Sequence, residues 1–178
     1  STARTGALQV NTFHTTFSKK TVILLNLECN AVAHAQQLQE EAIRIAAYFA
    51  DRFIREKVPV AFYTNGKDLI MDEPFRIDAG SDRTHIRSIE IALARLDTAK
   101  RPVSFTELLD KQVRPEDGAV EYLLISNYRK KDLCDKYAEL KKQGYSMRLL
   151  VPEFSYNSLE PALCDDQSVM KWTVQNDY

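Results

Sequence analysis

The stretch Thr21–Asn30, TVILLNLECN, decides the fold class. Its first part, Thr21–Leu27, is a near-continuous apolar run, as expected of a strand that is covered on both faces of a parallel sheet. Three side chains that carry oxygen, Asn26, Glu28 and Asn30, follow at intervals of two residues. In open α/β sheets the residues just beyond the first strand face the ligand site. The stretch therefore predicts a first strand with a candidate binding loop at its carboxyl end.

Strand and helix patterns alternate along the rest of the chain. Apolar residues recur every three to four positions from Leu38 to Ile54, which predicts a long and largely covered helix. Similar spacing predicts helices around Ile86–Leu96, after Ser104 and around Leu133–Leu140. Further strands are predicted at Val58–Gly66, Ala119–Ser126 and Tyr145–Pro152, with edge or short strands at Ala7–Phe13, Phe75–Asp78 and Val169–Val174.

Local signals mark the ends of these segments. Asn65 and Gly66 form a turn-type dipeptide, which predicts the end of the second strand. Ser81 or Asp82 is expected to cap the second helix, and Ser104 begins a capping-box pattern before the third. Strands that alternate with helices predict an α/β domain with a doubly wound, mainly parallel sheet, helices on both faces and a Rossmann-like architecture. Its functional surface is expected in the loops at the carboxyl ends of the strands.

Composition excludes several classes of protein. The 178 residues are 44% hydrophobic and carry a net charge of -1, which argues for one globular domain and against a disordered chain or a general polyanion binder. Three cysteines without metal-type spacing predict reduced thiols in the cytosol. No apolar run is long enough for a membrane span and no signal peptide is visible. Because the chain begins without methionine, we expect either a processed form or a soluble fragment excised from a longer protein.

Other chemistries find little support in the residues. The first loop has no glycine for a pyrophosphate, and no Walker-type motif is present. Cys29 followed by His34 lacks an orienting third group, so we interpret Cys29 as a packing residue. The basic runs Arg129–Lys131 and Lys141–Lys142 have acidic neighbours, which predicts solvated helix faces rather than a nucleic-acid patch.

The order of several motifs resembles a known family. The segments ARTGALQV, LLNLECN, EEAIRIAAYFADRFIREKVPVAFYTNG and AGSDRTHIRSIEIALARLDTAKRPVSFTELL look, in that order, like the von Willebrand factor A-like region of the domain of unknown function 58 family. The likeness runs from about Ala3 to Pro152. It implies a von Willebrand factor A-like fold with a metal-ion-dependent adhesion site built from three loops.

The resemblance assigns residues to that site and also shows departures from it. The family's D-x-S-x-S pattern falls on Asn26, Glu28 and Asn30, and all three differ from it. The second-loop threonine is expected at Thr84, and the third-loop aspartate falls on Asn127. Magnesium prefers octahedral oxygen ligands that include carboxylates, and Glu28 is the only acid among these positions. We therefore expect a degenerate site with no cofactor, or with weakly bound magnesium.

Two functional hypotheses follow. The resemblance implies a non-enzymatic module that binds other proteins, with a MoxR-type AAA+ ATPase as the first candidate partner. It also implies a bacterial parent protein anchored by upstream helices, which would place this part at the cytoplasmic face of the membrane. The alternative is a Rossmann-like hydrolase or transferase in which Glu28 acts as a general base or a weak metal ligand.

Overall fold

The computed structural model describes residues 20–30, 34–116, 118–155, 164 and 167–175. The predicted edge strand at Ala7–Phe13 lies outside these residues. In chain order, the elements within them are β1 (Lys20–Asn26), α1 (Ala35–Arg55), β2 (Val60–Lys67), β3 (Pro74–Gly80), α2 (Arg83–Ala94), α3 (Phe105–Gln112), β4 (Val120–Ser126), α4 (Lys131–Lys142), β5 (Ser146–Phe154) and β6 (Val169–Val174).

The six strands form one sheet in the order β3-β2-β1-β4-β5-β6. Strand β1 lies at its centre and pairs in parallel with both β2 and β4, so that Thr21 faces Val60 on one side and Glu121 on the other. Strands β5 and β6 continue the parallel pairing, and β3 alone runs antiparallel, against β2. The predicted mainly parallel α/β sheet is confirmed.

Alternate residues of β1 enter two separate apolar layers. Ile23 and Leu25 pack with the residues of α1 and α2 on one face of the sheet. Val22 and Leu24 pack with α3 and α4 on the other face. All four side chains are buried. Because helices cover both faces of the sheet, the strand needs apolar residues at successive positions. This explains the near-continuous apolar run at Thr21–Leu27.

Several helix boundaries follow the predicted signals. Asp82 caps α2, since its carboxylate accepts a hydrogen bond from the backbone N–H of His85. Ser104 caps α3 by accepting from the N–H of Glu107. Gly144 follows α4 with a positive φ of 95°, a conformation that favours glycine. Among the described helices, none is both long and apolar enough to cross a membrane.

The prediction of a turn at Asn65 and Gly66 is wrong. Both residues lie inside β2, and the side chain of Asn65 is completely buried. A Cβ atom at Gly66 would collide with the side chain of Leu27, so the glycine serves close packing rather than chain reversal. The chain reverses later, between Lys67 and Pro74, where β2 pairs with β3.

The prediction that all the cysteines are reduced is wrong for two of them. Cys134 of α4 forms a disulfide with Cys164, which lies between β5 and β6, and Cys29 is free. The fold brings the two Cα atoms to 5.3 Å, within the usual range for a disulfide. Their separation of 30 residues along the chain gave no sign of this proximity.

Candidate functional site

Three polar side chains join the carboxyl ends of the central strands. Asn65 of β2 donates from Nδ2 to Oδ1 of Asn26, at 2.8 Å, and Asn26 of β1 donates from Nδ2 to Oγ of Ser126 in β4, at 3.0 Å. Ser126 in turn donates to the carbonyl oxygen of Tyr128, at 2.9 Å. Asn26, Asn65 and Ser126 are at most 2% exposed. We call these three residues the amide network.

The amide network also fixes the loop after β1. Asn26 Oδ1 accepts a second hydrogen bond, from the N–H of Glu28 at 2.9 Å. Asn65 Oδ1 accepts from the N–H of Leu27 at 2.8 Å, and Asn65 Nδ2 also donates to the carbonyl of Val103 at 2.9 Å. Each polar atom of the two buried amides therefore has a protein partner, which is what a stable buried polar group requires.

Glu28 lies above the network at the start of α3. Its Oε2 accepts a hydrogen bond from the N–H of Phe105, at 3.2 Å. Partial burial raises the pKa of Glu28 above its usual value, and the Phe105 N–H opposes this shift. The negative charge of Asp132 also raises the pKa of Glu28, whereas Arg101 and Lys130 lower it. Glu28 is thus a half-buried carboxyl group that accepts a backbone hydrogen bond and forms no ion pair with the residues that the structure describes.

Asn30 and Asn127 connect the first and third loops. Asn30 donates from Nδ2 to the carbonyl of Asn127, at 3.2 Å, and its Oδ1 accepts from the N–H of Arg129, at 3.5 Å. Asn127 donates from Nδ2 to the carbonyl of Pro152, at 2.9 Å. Asn127 Oδ1 is buried and accepts no hydrogen bond from the described residues. Asn26, Glu28, Asn30 and Asn127 therefore lie at one edge of the sheet, as the resemblance implies.

Thr84 does not join them. Strand β3 runs antiparallel to β2 and brings Gly80 beside Val60, the first residue of β2. Thr84 follows in the first turn of α2, where the ring of the adjacent His85 contacts the Val60 carbonyl. It therefore lies at the amino edge of the sheet, opposite the other four residues. Asp82 caps α2 at this same amino edge.

Two residues of the site, Asn65 and Ser126, are not identified by the sequence. The sequence predicts Asn65 in a turn and Ser126 at the end of a strand, and nothing local distinguishes either as a buried polar partner. Ser104 caps α3, and its two neighbours contact the site: the carbonyl of Val103 accepts from Asn65, and the N–H of Phe105 donates to Glu28.

The donor set does not fit a magnesium site. Asn26 Oδ1 already accepts hydrogen bonds from two N–H groups. One of these belongs to the side-chain amide of Asn65, so a hydrogen-bond donor points at the oxygen that would have to bind the cation. Glu28 contributes the one carboxylate at these positions, and magnesium in proteins is usually bound through carboxylates in an octahedral oxygen shell. Within the described ranges, no three or more His, Cys, Asp or Glu side chains are grouped as metal ligands.

Cys29 is placed as a packing residue. Its Sγ lies 3.8 Å from the carbonyl oxygens of Leu27 and Ala35. Burial raises the pKa of the Cys29 thiol to about 11, so the thiol is protonated at neutral pH and is a weak nucleophile. The ring of His34 packs edge-on against Phe154, with the ring centroids 6.3 Å apart.

The first basic run is mostly used within the protein. Arg129 is buried and forms an ion pair with buried Glu153 at 3.2 Å, which corrects the expectation that it lies on a solvated face. Lys171 of β6 lies 3.5 Å from the same carboxylate. Lys131 is exposed, as expected, and pairs with Asp135 one helical turn later. A charge that is buried and paired, such as Arg129, is not available to a polyanion.

Comparison with known proteins supports the fold. No family model matches the chain, and no curated protein sequence matches it. Among solved structures, it is similar to the conserved hypothetical protein BatB from Bacteroides thetaiotaomicron, with a TM-score of 0.56 and 12% identity over 88% of this chain and 90% of that one. It is also similar to the pilus adhesin SpaC from Lactobacillus rhamnosus GG in its open conformation, with a TM-score of 0.56 and 8% identity over 89% of this chain and 28% of that one. At identities this low, the likeness relates the chains by their α/β fold alone.

Proposed function

We propose that this chain is a non-enzymatic protein-interaction module in which the amide network takes the place of a metal centre. The observation that carries the proposal is the double acceptance by Asn26 Oδ1, from Asn65 and from Glu28. In the resemblance, this position belongs to the first acidic ligand of an adhesion site. Here it is a neutral amide whose hydrogen bonds hold the loops in place. The edge that would present a metal ion then presents protein groups only.

The groups at this edge suit binding to another protein. Glu28 supplies a partly exposed carboxyl group, Asn30 supplies an amide, and Lys130 supplies a cation over the ring of Tyr128, 5.5 Å from its centroid. Hydrogen bonds and charge complementarity of this kind give specificity to protein–protein contacts without a metal ion. The surface is held from below by buried side chains, so little ordering is required upon binding.

The finer parts of the proposal rest on the resemblance. They are a MoxR-type AAA+ ATPase as partner and a membrane-anchored parent protein. The resemblance places this module at the cytoplasmic face, whereas the disulfide between Cys134 and Cys164 is typical of proteins in an oxidising compartment. No nucleic acid and no cofactor take part. The ion pair of Arg129 with Glu153 supports the exclusion of nucleic acid, and the poor fit of the site to magnesium supports the exclusion of a cofactor.

The test is a binding titration against a purified, nucleotide-free MoxR-type ATPase from the same organism. We expect saturable binding that is unchanged by a chelator of divalent cations. Glu28→Lys should weaken it at least about tenfold, a loss of about 1.4 kcal/mol. Glu90→Lys, the same change at an exposed position of α2, should leave it unchanged. Absence of binding would refute this partner, and loss of binding with the chelator would refute the metal-independent surface.

One observation favours the alternative, a hydrolase or transferase that uses Glu28. Its raised pKa is a feature of carboxyl groups that act as general acids or bases. A panel of generic phosphatase and esterase substrates tests it directly. Turnover that is lost in Glu28→Gln would establish the enzyme, and no turnover above background is the result that the interaction module predicts.

A further inference from the structure

A groove runs between β3, the strand at one edge of the sheet, and helix α3. It is made of two cavities of about 320 Å³ each. Four residues line both cavities: Tyr63, Arg76, Lys111 and Gln112. Because they share these residues, the two cavities are adjacent and form one continuous groove. We call it the β3–α3 groove.

The groove exists because one face of β3 is exposed. Side chains alternate between the two faces of a strand, so Pro74, Arg76 and Asp78 share one face, and all three are exposed. Helix α3 packs over the neighbouring strand instead, where its Phe105 lies in the same apolar layer as Tyr63 of β2. The β3–α3 groove is the step between the helix and the exposed face of β3.

One end of the β3–α3 groove is mainly apolar. The residues of this cavity that provide apolar surface are Pro74, Phe75, Val103 and Leu108. Val103 is 38% exposed and is therefore available to an occupant. Exposed Glu107 of α3 supplies the acid in this lining. Covering the apolar surface removes it from water, which favours an apolar side chain at this end.

The other end of the groove carries positive charge. Its lining includes three cations and one acid: Arg76, Lys111, Arg114 and Glu116. The carboxylate of Glu116 is already held in an ion pair with Lys20. Lys111 and Arg114, by contrast, form no ion pair with any residue that the structure describes. This end therefore offers cations to a negatively charged occupant.

Arg76 connects the two ends. It lines both cavities, and its guanidinium group lies over the ring of Tyr63, 5.2 Å from the ring centroid. Arg76 also pairs with Asp78 at 3.3 Å, but both side chains are more than half exposed, and ion pairs of this kind are weak. Pro74 of the apolar cavity precedes Arg76 by two residues of extended strand, which is about 7 Å. The apolar and cationic ends are therefore within reach of one short segment.

We propose that the β3–α3 groove binds an extended acidic segment of a partner protein. An apolar side chain of the segment lies against Val103 and Leu108, and carboxylates two or three residues away meet Lys111 and Arg114. The unpaired cations select an acidic partner by charge complementarity. Segments that bind anionic lipids carry clusters of about four to eight cations, and this groove has three, so a protein segment is the better match. The proposal goes beyond the proposed function, because it uses none of the amide network and requires no ATPase.

Fluorescence anisotropy with a synthetic peptide tests the proposal. The fluorescein-labelled probe has a central leucine, flanked on each side by one glycine and then two glutamates, so that its acids stand two and three residues from the leucine. We expect saturable binding to the unmodified chain at protein concentrations up to about 1 mM. Lys111→Glu and Arg114→Glu should each weaken binding at least about tenfold, because they place like charges against the probe. Lys142→Glu, the same change at an exposed position of α4, is the matched control and should leave binding unchanged.

A second peptide separates binding in the groove from general charge attraction. Replacing the leucine of the probe by serine should weaken binding to the unmodified chain several-fold, because the apolar cavity then has no apolar occupant. Thermal unfolding checks that each protein variant is folded. Absence of saturable binding, an equal loss in Lys142→Glu, or equal affinity for the serine peptide would each overturn the proposal. Binding to phosphatidylserine vesicles that is lost in Lys111→Glu, by a chain that does not bind the probe, would assign the groove to lipid instead.

Discussion

Two carboxyl groups at the same edge of the sheet, Glu28 after β1 and Asp68 after β2, have opposite environments. Burial alone would raise the pKa of Asp68, but the N–H groups of Met71 and Ile70, together with Arg95, hold it below its usual value. Glu28 has the N–H of Phe105 as its hydrogen-bond donor, and there burial prevails and raises the pKa. The number of donors that the fold supplies decides the sign of each shift.

The difference separates a structural acid from a functional candidate. The charge of Asp68 is consumed in shaping the turn and in pairing with Arg95. The charge of Glu28 accepts a hydrogen bond from the N–H of Phe105 and forms no ion pair among the described residues, so it remains available to a partner. Asn26 and Asn127 differ in a similar way. Both polar atoms of the Asn26 amide are hydrogen-bonded, whereas Oδ1 of Asn127 has no partner among the described residues.

The largest effect is expected from breaking the apolar layer between α1 and the sheet. Ile45 of α1 is 1% exposed and packs in the same layer as Leu27, beside Glu28. Ile45→Asp would bury an unpaired charge and should lower the free energy of unfolding by about 3 kcal/mol or more. Gln37→Asp, on the exposed side of α1, is the control and should have little effect in denaturant titration. A melting temperature close to that of the parent for Ile45→Asp would contradict this placement of α1.

A smaller loss is expected from opening the amide network. Asn26→Ala would leave one of the two Asn65 Nδ2–H groups and the Glu28 N–H without an acceptor, and a buried unpaired group costs about 1–3 kcal/mol. Asn30→Ala removes longer hydrogen bonds from a partly exposed side chain and should cost about 1 kcal/mol or less. Urea unfolding of both variants measures the contrast. Equal losses would show that the amide network contributes no more to stability than the partly exposed Asn30 does.

The pH dependence of stability should separate the two carboxyl groups by sign. The folded pKa of Asp68 lies below its unfolded value, so its contribution is present above the usual carboxyl pKa and is lost as pH falls through the folded value. Asp68→Asn should therefore lower stability at neutral pH, and the difference from the parent should shrink in acid. Denaturant midpoints measured from pH 7 to pH 3 test this expectation. A difference that grows in acid would reverse the assignment.

Glu28 should show the smallest and opposite effect. Its folded pKa lies above the unfolded value, so protonation stabilises the fold at low pH, and this contribution is lost as pH rises through the folded value. Glu28→Gln keeps an acceptor for Phe105 and removes the charge. It should be neutral or slightly stabilising at pH 7 and should match the parent in acid. A clear loss of stability at pH 7 would mean that the Glu28 charge has a partner within the fold.

Most strands and helices, and their order along the chain, could be predicted from the sequence because their signals are local. Alternate positions of Val22–Leu25 enter opposite layers, and this two-sided burial is visible as an unbroken apolar run. The caps at Asp82 and Ser104 are equally local, since a side chain accepts from an N–H three residues away. The end of β2 was predicted wrongly, because Asn65 and Gly66 look like a turn but lie within the strand.

The site was predicted in part for the same reason. Asn26, Glu28 and Asn30 follow a strand, and their place at its carboxyl end could be inferred from the α/β pattern. Thr84 was misplaced because its position depends on β3 returning to the amino edge, which is a property of pairing between distant residues. The disulfide between Cys134 and Cys164 was missed for the same cause.

The central claim is that protein hydrogen bonds replace the metal ion at this edge. A matched variant makes the claim testable: Asn26→Asp, Glu28→Ser, Asn30→Ser and Asn127→Asp together install the family's acidic and hydroxyl ligands. This variant should bind magnesium more tightly than the parent, and it serves as the positive control.

The most direct measurement is calorimetric titration of the unmodified chain with magnesium. We expect no binding heat at millimolar magnesium, and a stabilisation of at most about 0.4 kcal/mol, the value reached when the metal concentration equals Kd. Micromolar binding of magnesium by the unmodified chain would contradict the account, because Asn26 and Glu28 would then have to act as ligands rather than as members of a hydrogen-bonded frame.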